Sequence, residues 1–588
     1  MPNWREARRR GPKITKRPDG FYIERTAGDV VRMTNYTARI AEEITYDNGS
    51  GPTGRAYVLA VKVGRGKEER HVVLNEEFHS MTWVATRVGA RAFLYNTKGA
   101  SLPKVRLAIQ ENSPRIRKVT VYRAIGWQQV RGQAVYLHAG GGLGVHGPVP
   151  GLRVEPPAGL TNYRLPDPRG ADLREAVRTS LDFTRIAPDA VTMPLYAMVA
   201  RAPIGAADVA VHLGGKSGSL KTQLAALLQA HSGAAFDENT LPASFIDTPL
   251  SIPEMANTVR DAIFAVDDFV PWASGKTGKE MQQAAERLVR SVGNQAGRAR
   301  LRGGSRVQGA APRCLVVTTG EDVPEGYSIR GRLMFIRVVE GAVSLPALTA
   351  AQEAARQGKY AMAMAGYVQW LASRRDQILR SLPRRLDVLR NELRRHRPHP
   401  RTPDNLAQAV IGLDIWAEFA EDAGAVTSEE ADQLRQRLNA VLPEIADVQR
   451  SILSAADPAG RLVPLLRASI KSGNAHAGGL NGGPPDSSAH LGWSTVDGAT
   501  RPQGRRIGWV EGDELFLDFT MAFAAAQEAA EAAGEPLTIT PTRLKKRLHE
   551  QGQLRSVDKQ RETLTIRKTI EGKRVEVLHV LVRALLET

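Results

Sequence analysis

The sequence predicts a multidomain α/β chain with a β-rich N-terminal module, an α/β core, a helical region and a small basic C-terminal domain. Three observations lead there. The chain has 588 residues, more than one hydrophobic core serves, so three or four domains are expected. Strand-like apolar runs dominate before residue 150, strands and helices alternate between about 170 and 345, and helical periodicity fills 346–471. A glycine-rich turn then stands between an apolar strand and a helix in the middle part, in VHLGGKSGSLKTQLAALLQA.

Taken in order, residues 1–18 hold seven basic residues and one acidic one and read as a flexible basic arm. Over 19–150, the runs RAYVLAVKV, HVVLN, RAFLYN, KVRLAI, KVTVYRAIGWQQ and QAVYLHAG read as strands separated by turns. GGGLGVHGPVPG ends or interrupts that module. The α/β core spans 170–345 and the helical region 346–471, with basic bursts such as RRLDVLRNELRRHR. SGNAHAGGLNGGPPDSSAHLGW opens a glycine-, proline- and serine-rich stretch, 472–506, that reads as a linker. Residues 507–588 form the last domain. In PTRLKKRLHEQ, Thr540 suits an N-cap, Pro541 the first helical position and Gly552 the C′ position. Leu544 and Leu548 share one face of that helix, and Lys545, Lys546 and Arg547 occupy much of the rest. Thr563–Ile570 and Lys573–Val580 can pair across Glu571-Gly572. A helix with a basic hairpin is the outline of a winged helix, and 537–588 has 12 basic against 6 acidic residues. Lys545, Lys546 and Arg547 are therefore expected to contact duplex DNA, with docking of a partner protein as the alternative.

The charge favours a polyanionic partner. Lys plus Arg number 80 against 62 Asp plus Glu, giving +18 and a pI near 10.0. Nucleic acid comes before membrane, because no apolar run reaches the roughly 18–20 residues of a spanning helix. The first residues are basic with no apolar segment after them, unlike a secretory signal. One cysteine, Cys314, excludes an internal disulfide or a cysteine metal cluster. A cytoplasmic location is expected.

The glycine-rich turn almost spells a phosphate-binding loop, G-x-x-x-x-G-K-S/T. Gly215 opens the frame, Lys221-Thr222 close it, and Leu220 stands where the second glycine belongs. Asp208–Leu213 (DVAVHL) supplies a strand, Gly214, Gly215 and Gly218 the flexible turn positions, and TQLAALLQA a helix whose N-terminus would face phosphate. Gly218 is expected to absorb the difficult dihedral. A rival, Gly275-Lys276-Thr277, has Val270 in place of its first glycine and no strand directly before it, so it reads as a surface turn. Downstream, Ile263–Val266 ends in Asp267-Asp268, a Walker B pattern: Asp267 for the shell of Mg²⁺, Asp268 for the attacking water. A further strand, Cys314–Val317, ends in Thr318-Thr319-Gly320-Glu321, where Thr319 could sense the γ-phosphate or simply begin a turn.

These blocks, with AERLVRSVGNQAGRARLRGG and PRCLVVTTGEDVPEGYSIRGRLMFIRV, make the chain resemble the helicase-like ATPases of bacterial phages and integrative mobile elements. That family has long been catalogued as a domain of unknown function. The match covers about Asp208–Val338, and IGWVEGDELFLD and TPTRLKKRLHEQGQL resemble the family's C-terminal winged helix. Relatives often keep a bulky residue before the Walker lysine, as Leu220 is here. The resemblance implies a P-loop NTPase core of helicase-like, AAA type that forms a ring, expected as a homo-hexamer, and moves on DNA. It also implies an arginine reaching a neighbour's γ-phosphate, for which Arg332, then Arg330, are the candidates. Arg298, Arg300, Arg302 and Arg306 around Gly303-Gly304 could form a basic hairpin that contacts single-stranded DNA in a ring channel, or a charged surface loop.

The expected activity is ATP hydrolysis with Mg²⁺, driving a DNA helicase or translocase in replication of a mobile element. Gly215, Gly218, Ser219, Leu220, Lys221 and Thr222 would hold ATP, Thr222 and Asp267 the metal, and Lys221, Asp268, Thr319, Arg330 and Arg332 would serve catalysis. A nucleotide-switched, non-catalytic DNA-binding replication initiator is the alternative that Leu220 favours. An ATP-driven defence protein is another.

Overall fold

The structure, a computed structural model, describes residues 13–24, 29–95, 101–169, 172–248, 251–270, 276–295, 300–302, 305–307, 311–394, 401–533, 537, 539–582 and 585. It is mixed α/β with several sheets and divides into two compact units. The first comprises the chain to Asp322 with Ile336–Glu392 and Leu406–Val441; the second comprises Val323–Phe335, Leu393–Asn405 and the chain from Leu442.

The first unit opens with β structure. Ile14–Arg17, Gly20–Glu24 and Val30–Arg32 form a three-stranded antiparallel sheet, so part of the expected basic arm is strand. A five-stranded sheet follows in the order Arg153–Val154, Arg117–Tyr122, Tyr36–Asp47, Pro52–Val63, Glu68–Leu74. A meander of Gly126–Val130, Gln133–His138, Gly141–Gly144 and Gly147–Pro148 completes the module. KVRLAI, expected as a strand, lies in a helix, Leu102–Glu111. Its buried residues Val105, Ala108 and Ile109 follow helical spacing, and Pro103 suits the first turn. Among the described residues, RAFLYN contributes an isolated bridge, Leu94 to Thr34.

The α/β core follows. Its sheet has the order Ala243–Ser244, Arg260–Phe269, Arg313–Gly320, Ala210–Gly214, Leu333–Arg337. The pairings of the first four strands are parallel. Ala210–Gly214 is buried at every position, as a parallel strand covered on both faces should be. The helix Asp189–Arg201 is buried along nearly its whole length, which explains why it is apolar all round.

The expected helical domain, 346–471, is divided between the two units rather than standing alone. Its first portions pack onto core elements. Trp416 meets Tyr196 edge-on at 5.5 Å, and the buried Arg201 donates to Gln408 at 2.8 Å. Gly412 lets the helices approach closely, since a Cβ there would lie 2.3 Å from the Ala197 carbonyl. Arg437 pairs with Asp189 at 2.6 Å. Burial of Arg201 requires partners, and Gln408 of the helical region joins the carbonyls of Gly205 and Ala206 in supplying them.

The second unit holds the sheet Ala475–Gly479, Arg505–Glu511, Glu514–Leu517, Lys573–Leu581, Ile566–Ile570. Pro458–Lys471, Phe519–Ala532 and Pro541–Glu550 contribute to the same core through Leu462, Leu466, Ala525, Leu544 and Leu548. This corrects the expected linker at 472–506. Ala475, Ala477, Leu491 and Trp493 are buried in that core, and Trp493 donates its indole N–H to the Ala477 carbonyl at 2.7 Å. Small residues and glycines there allow close packing, which composition alone does not distinguish from flexibility.

Candidate nucleotide site

The buried strand Ala210–Gly214 delivers the chain to Gly215 at the carboxyl edge of the sheet, where open α/β sheets bind ligands. Gly215 has no room for a side chain: a Cβ would sit 2.2 Å from the Val338 carbonyl oxygen and 2.9 Å from Ser219 Oγ. The loop closes on itself through Ser219, whose hydroxyl donates to the Lys216 carbonyl at 2.8 Å. The sequence places the difficult dihedral on Gly218, and the loop has a second left-handed position besides it. Gly218 has φ 81° and Leu220 itself has φ 66°, ψ 25°. A non-glycine residue there costs about 1–2 kcal/mol. The loop thus keeps a left-handed position before the lysine without the usual glycine. The Leu220 carbonyl accepts from Leu224 N–H at 3.1 Å and starts the helix Lys221–Ala230.

Lys221 is buried at the base of this turn. Its ammonium donates to the Lys216 carbonyl at 2.7 Å and to Ser219 Oγ at 3.2 Å. Burial pulls its pKa below the usual lysine value, against the opposing pull of Glu321, Asp267 and Asp268.

The acids come from the Arg260–Phe269 strand. Its pairing with Arg313–Gly320 shifts register between Val266 and Phe269: Val266 faces Thr318 and Phe269 faces Gly320. Asp267 and Asp268 therefore oppose the single residue Thr319, a β-bulge, with Asp268 at φ 65°. Gly320 permits it, because a Cβ there would meet the Phe269 carbonyl at 2.6 Å. Asp267 Oδ1 accepts from the hydroxyls of Thr222, at 3.0 Å, and Thr319. Thr319 Oγ1 in turn accepts the Asp268 N–H at 3.1 Å. Desolvation first, then Asp267 and Glu321, raises the Asp268 pKa, while Lys221 opposes the rise. The structure thus brings Gly215, Gly218, Ser219, Leu220, Lys221, Thr222, Asp267, Asp268 and Thr319 to one sheet edge.

Two residues at this edge are not among those expected from the sequence. Glu321, directly after the strand Arg313–Gly320, is a third carboxylate acting on Lys221 and Asp268. His212 is fully buried in the strand Ala210–Gly214 that leads into the loop. Its Nε2 donates to the Asp322 carbonyl at 2.8 Å, so in the neutral ring Nδ1 accepts from Thr318 Oγ1 at 2.7 Å. A histidine interrupting an apolar strand, facing the threonines of a second strand, is the signal that could have found it.

The arginines fall elsewhere. Arg330 ends the short helix Tyr327–Arg330 and donates to the carbonyls of Pro324 at 3.2 Å and Ile452 at 3.1 Å. Arg332 donates to the Ser328 carbonyl at 2.6 Å. Arg300, Arg302 and Arg306 lie in a two-stranded antiparallel ribbon in which Arg302 faces Ser305 and Arg306 faces Leu301. Arg298 lies outside the described residues. In the rival motif Gly275 also lies outside them, and Lys276 begins the helix Lys276–Gly293.

In the second unit, Thr540 caps Pro541–Glu550 by accepting from Arg543 N–H at 3.4 Å, and Gly552 follows with φ 68°. Lys546 is exposed on this helix. Lys545 lies 5.6 Å from the Phe519 ring. Arg547 instead pairs with Asp457 at 2.8 Å and stacks 3.8 Å over the Tyr327 ring. Its guanidinium serves the unit's own packing. Among the described residues no helix is long and apolar enough to cross a membrane.

No protein-family model and no curated protein matches the chain. Among solved structures, the chain is similar to "SCCmec type IV Cch - active helicase", with a TM-score of 0.53 over 98% of this chain and 99% of that one, at 12% sequence identity. At that identity the likeness is one of fold, extending along nearly the whole chain.

Proposed function

We propose that the chain is an ATP-hydrolysing DNA helicase or translocase, acting in replication of a phage or integrative element. The observation that carries this reading is the convergence of Thr222 and Thr319 on Asp267, beside Lys221 and the bulged Asp268. The full-length likeness to a helicase structure supports it at the level of fold. Sheet order adds support: the threonine-bearing strand lies between the loop strand and the acidic strand, so one edge gathers all three. The proposal includes a ring-forming AAA-type core, with a homo-hexamer as the assembly to test.

Lys221 neutralises phosphate charge, and the loop N–H groups and helix N-terminus orient the triphosphate. Thr222 Oγ1 and Asp267 Oδ1, 3.0 Å apart, are the hard oxygen donors that Mg²⁺ takes alongside phosphate and water. Bound there, the ion would offset charge developing on the transferred phosphoryl group. Asp268 positions water for in-line attack and receives its proton. Thr319 holds both acids in register, through its hydroxyl bond to Asp267 and its acceptance of the Asp268 N–H. Arg332, then Arg330, are the residues to test for reach into a neighbour's site.

ATPase rates with and without single-stranded DNA test the proposal. Lys221→Ala should abolish turnover, and Lys276→Ala should leave it within a few-fold. A dead Lys276→Ala enzyme with an active Lys221→Ala enzyme would place the site elsewhere. The left-handed Leu220 favours a second reading, a nucleotide-switched initiator without turnover. Tight ATP binding with no hydrolysis at any DNA concentration would select it.

A further inference from the structure

The N-terminal three-stranded sheet presents a row of alternating arginines and aromatic rings. Strand alternation separates its faces. Phe21, Ile23 and Met33 point into the core. Tyr22, paired across the sheet with Thr15 on one side and Arg32 on the other, belongs to the opposite face, as does Arg17 opposite Gly20. The Phe93–Tyr95 segment extends this edge: Tyr95 N–H donates to the Met33 carbonyl at 2.9 Å, and Asn35 N–H to the Phe93 carbonyl at 3.4 Å. Leu94 turns inward against the core, so Phe93 and Tyr95 alternate outward, with Phe93 46% exposed.

The contacts run continuously along the row. The Arg17 guanidinium lies 4.5 Å over the Tyr22 ring, and Arg32 lies 5.9 Å from Tyr22 and 5.1 Å from Tyr95. Tyr95 meets Phe93 edge-on at 5.1 Å. Two carboxylates brace it. Asp19 accepts the Tyr22 hydroxyl at 2.9 Å and pairs with Arg32 at 3.1 Å, and Glu24 pairs with Lys13 at 2.9 Å. Acidic residues are the minority here: residues 1–32 hold nine basic and four acidic ones.

We propose that this row, Arg17–Tyr22–Arg32–Tyr95–Phe93, is a binding platform for single-stranded DNA, separate from the arginine ribbon and from the C-terminal helix. Unstacked bases lie on aromatic rings and guanidinium planes, and basic residues alongside meet the phosphates. Duplex DNA keeps its base faces stacked inside and cannot use the rings, which selects the single strand. Through this surface the N-terminal module holds one strand independently of the ATP site.

The test uses the full chain carrying Lys221→Ala, without nucleotide, so its outcome does not depend on the ATPase reading. Binding of a fluorescent deoxythymidine oligonucleotide is followed by anisotropy. Adding Arg17→Ala and Phe93→Ala, both at exposed positions, should weaken binding about tenfold and leave duplex binding unchanged. In the otherwise unsubstituted chain, photocrosslinking with iodouracil-substituted DNA should map to Tyr22, Phe93 or Tyr95 by mass spectrometry. Unchanged affinity in the double variant, or crosslinks confined to the ribbon or the C-terminal helix, would overturn the proposal and leave a protein partner as the better occupant. A ribo-oligonucleotide of equal length is the remaining arm: binding no tighter than DNA supports the assignment, and tenfold tighter binding overturns DNA as the ligand.

Discussion

At the residue scale, Asp267 is the hub, because two threonine hydroxyls from different elements converge on one of its oxygens. Gly215→Ala should be severe: the new Cβ meets a main-chain oxygen at 2.2 Å, and backbone cannot swing away. We expect loss of ATP binding and destabilisation of about 1–3 kcal/mol, read by calorimetry and thermal melts. Gly218→Ala meets no atom, so only its dihedral is strained and the loss of binding should be smaller. Asp268→Asn should keep ATP and slow turnover by about 10²–10⁴, since placing water and taking its proton matter in the transition state more than in the ground state. Equal losses of binding and turnover would remove Asp268 from that role. The alkaline limb of kcat/KM follows from Lys221. Burial lowers its pKa, so the ammonium loses its proton at a lower pH than a free lysine does, and activity should fall before pH 10.5. Lys221→Arg should move that limb upward whatever it does to the maximum rate; an unmoved limb would assign it to another group.

At the element scale, the helix Pro541–Glu550 separates two kinds of residue that the sequence runs together. Leu544 and Leu548 are buried in the second unit's core, so Leu544→Ala should cost about 2–5 kcal/mol. Arg547→Ala should also lower the melting temperature, because it breaks the pair with Asp457 and the stack on Tyr327, while leaving duplex binding nearly unchanged. Lys545→Ala with Lys546→Ala should do the opposite, weakening duplex binding with little change in stability. A drop in duplex affinity on Arg547→Ala at unchanged stability would reverse this division. Periodicity and caps made this helix legible, since Thr540, Pro541 and Gly552 are local signals. Which basic residue faces inward was not legible, because Asp457 and Tyr327 are distant in the chain.

At the scale of the whole molecule, unit boundaries do not follow composition. A fragment starting at residue 507 lacks the strand Ala475–Gly479 and the helix Pro458–Lys471, both part of the C-terminal core. It should be poorly folded by circular dichroism and proton NMR, whereas a fragment starting at Asp457 should show cooperative melting. A well-folded 507–588 fragment would restore the linker reading. For the same reason, a truncation at Leu537 removes Leu544, Leu548 and Leu578 together, so point substitutions are the cleaner probe of DNA contacts.

The sequence by itself determined the local chemistry: a strand, a glycine-containing turn and a helix around Lys221-Thr222, an acidic pair ending a buried strand, and a capped basic helix near the end. Each is written in contiguous residues. Tertiary structure decided what depends on distant partners. It bulged the acidic strand so that two aspartates face Thr319, placed Glu321 and His212 at the same edge, and turned Arg547 and Arg330 inward. It also built a glycine-rich stretch into a sheet. The physical reason is common to all of these: a small or charged residue is ambiguous until its neighbours across the fold fix whether it packs, pairs or meets solvent.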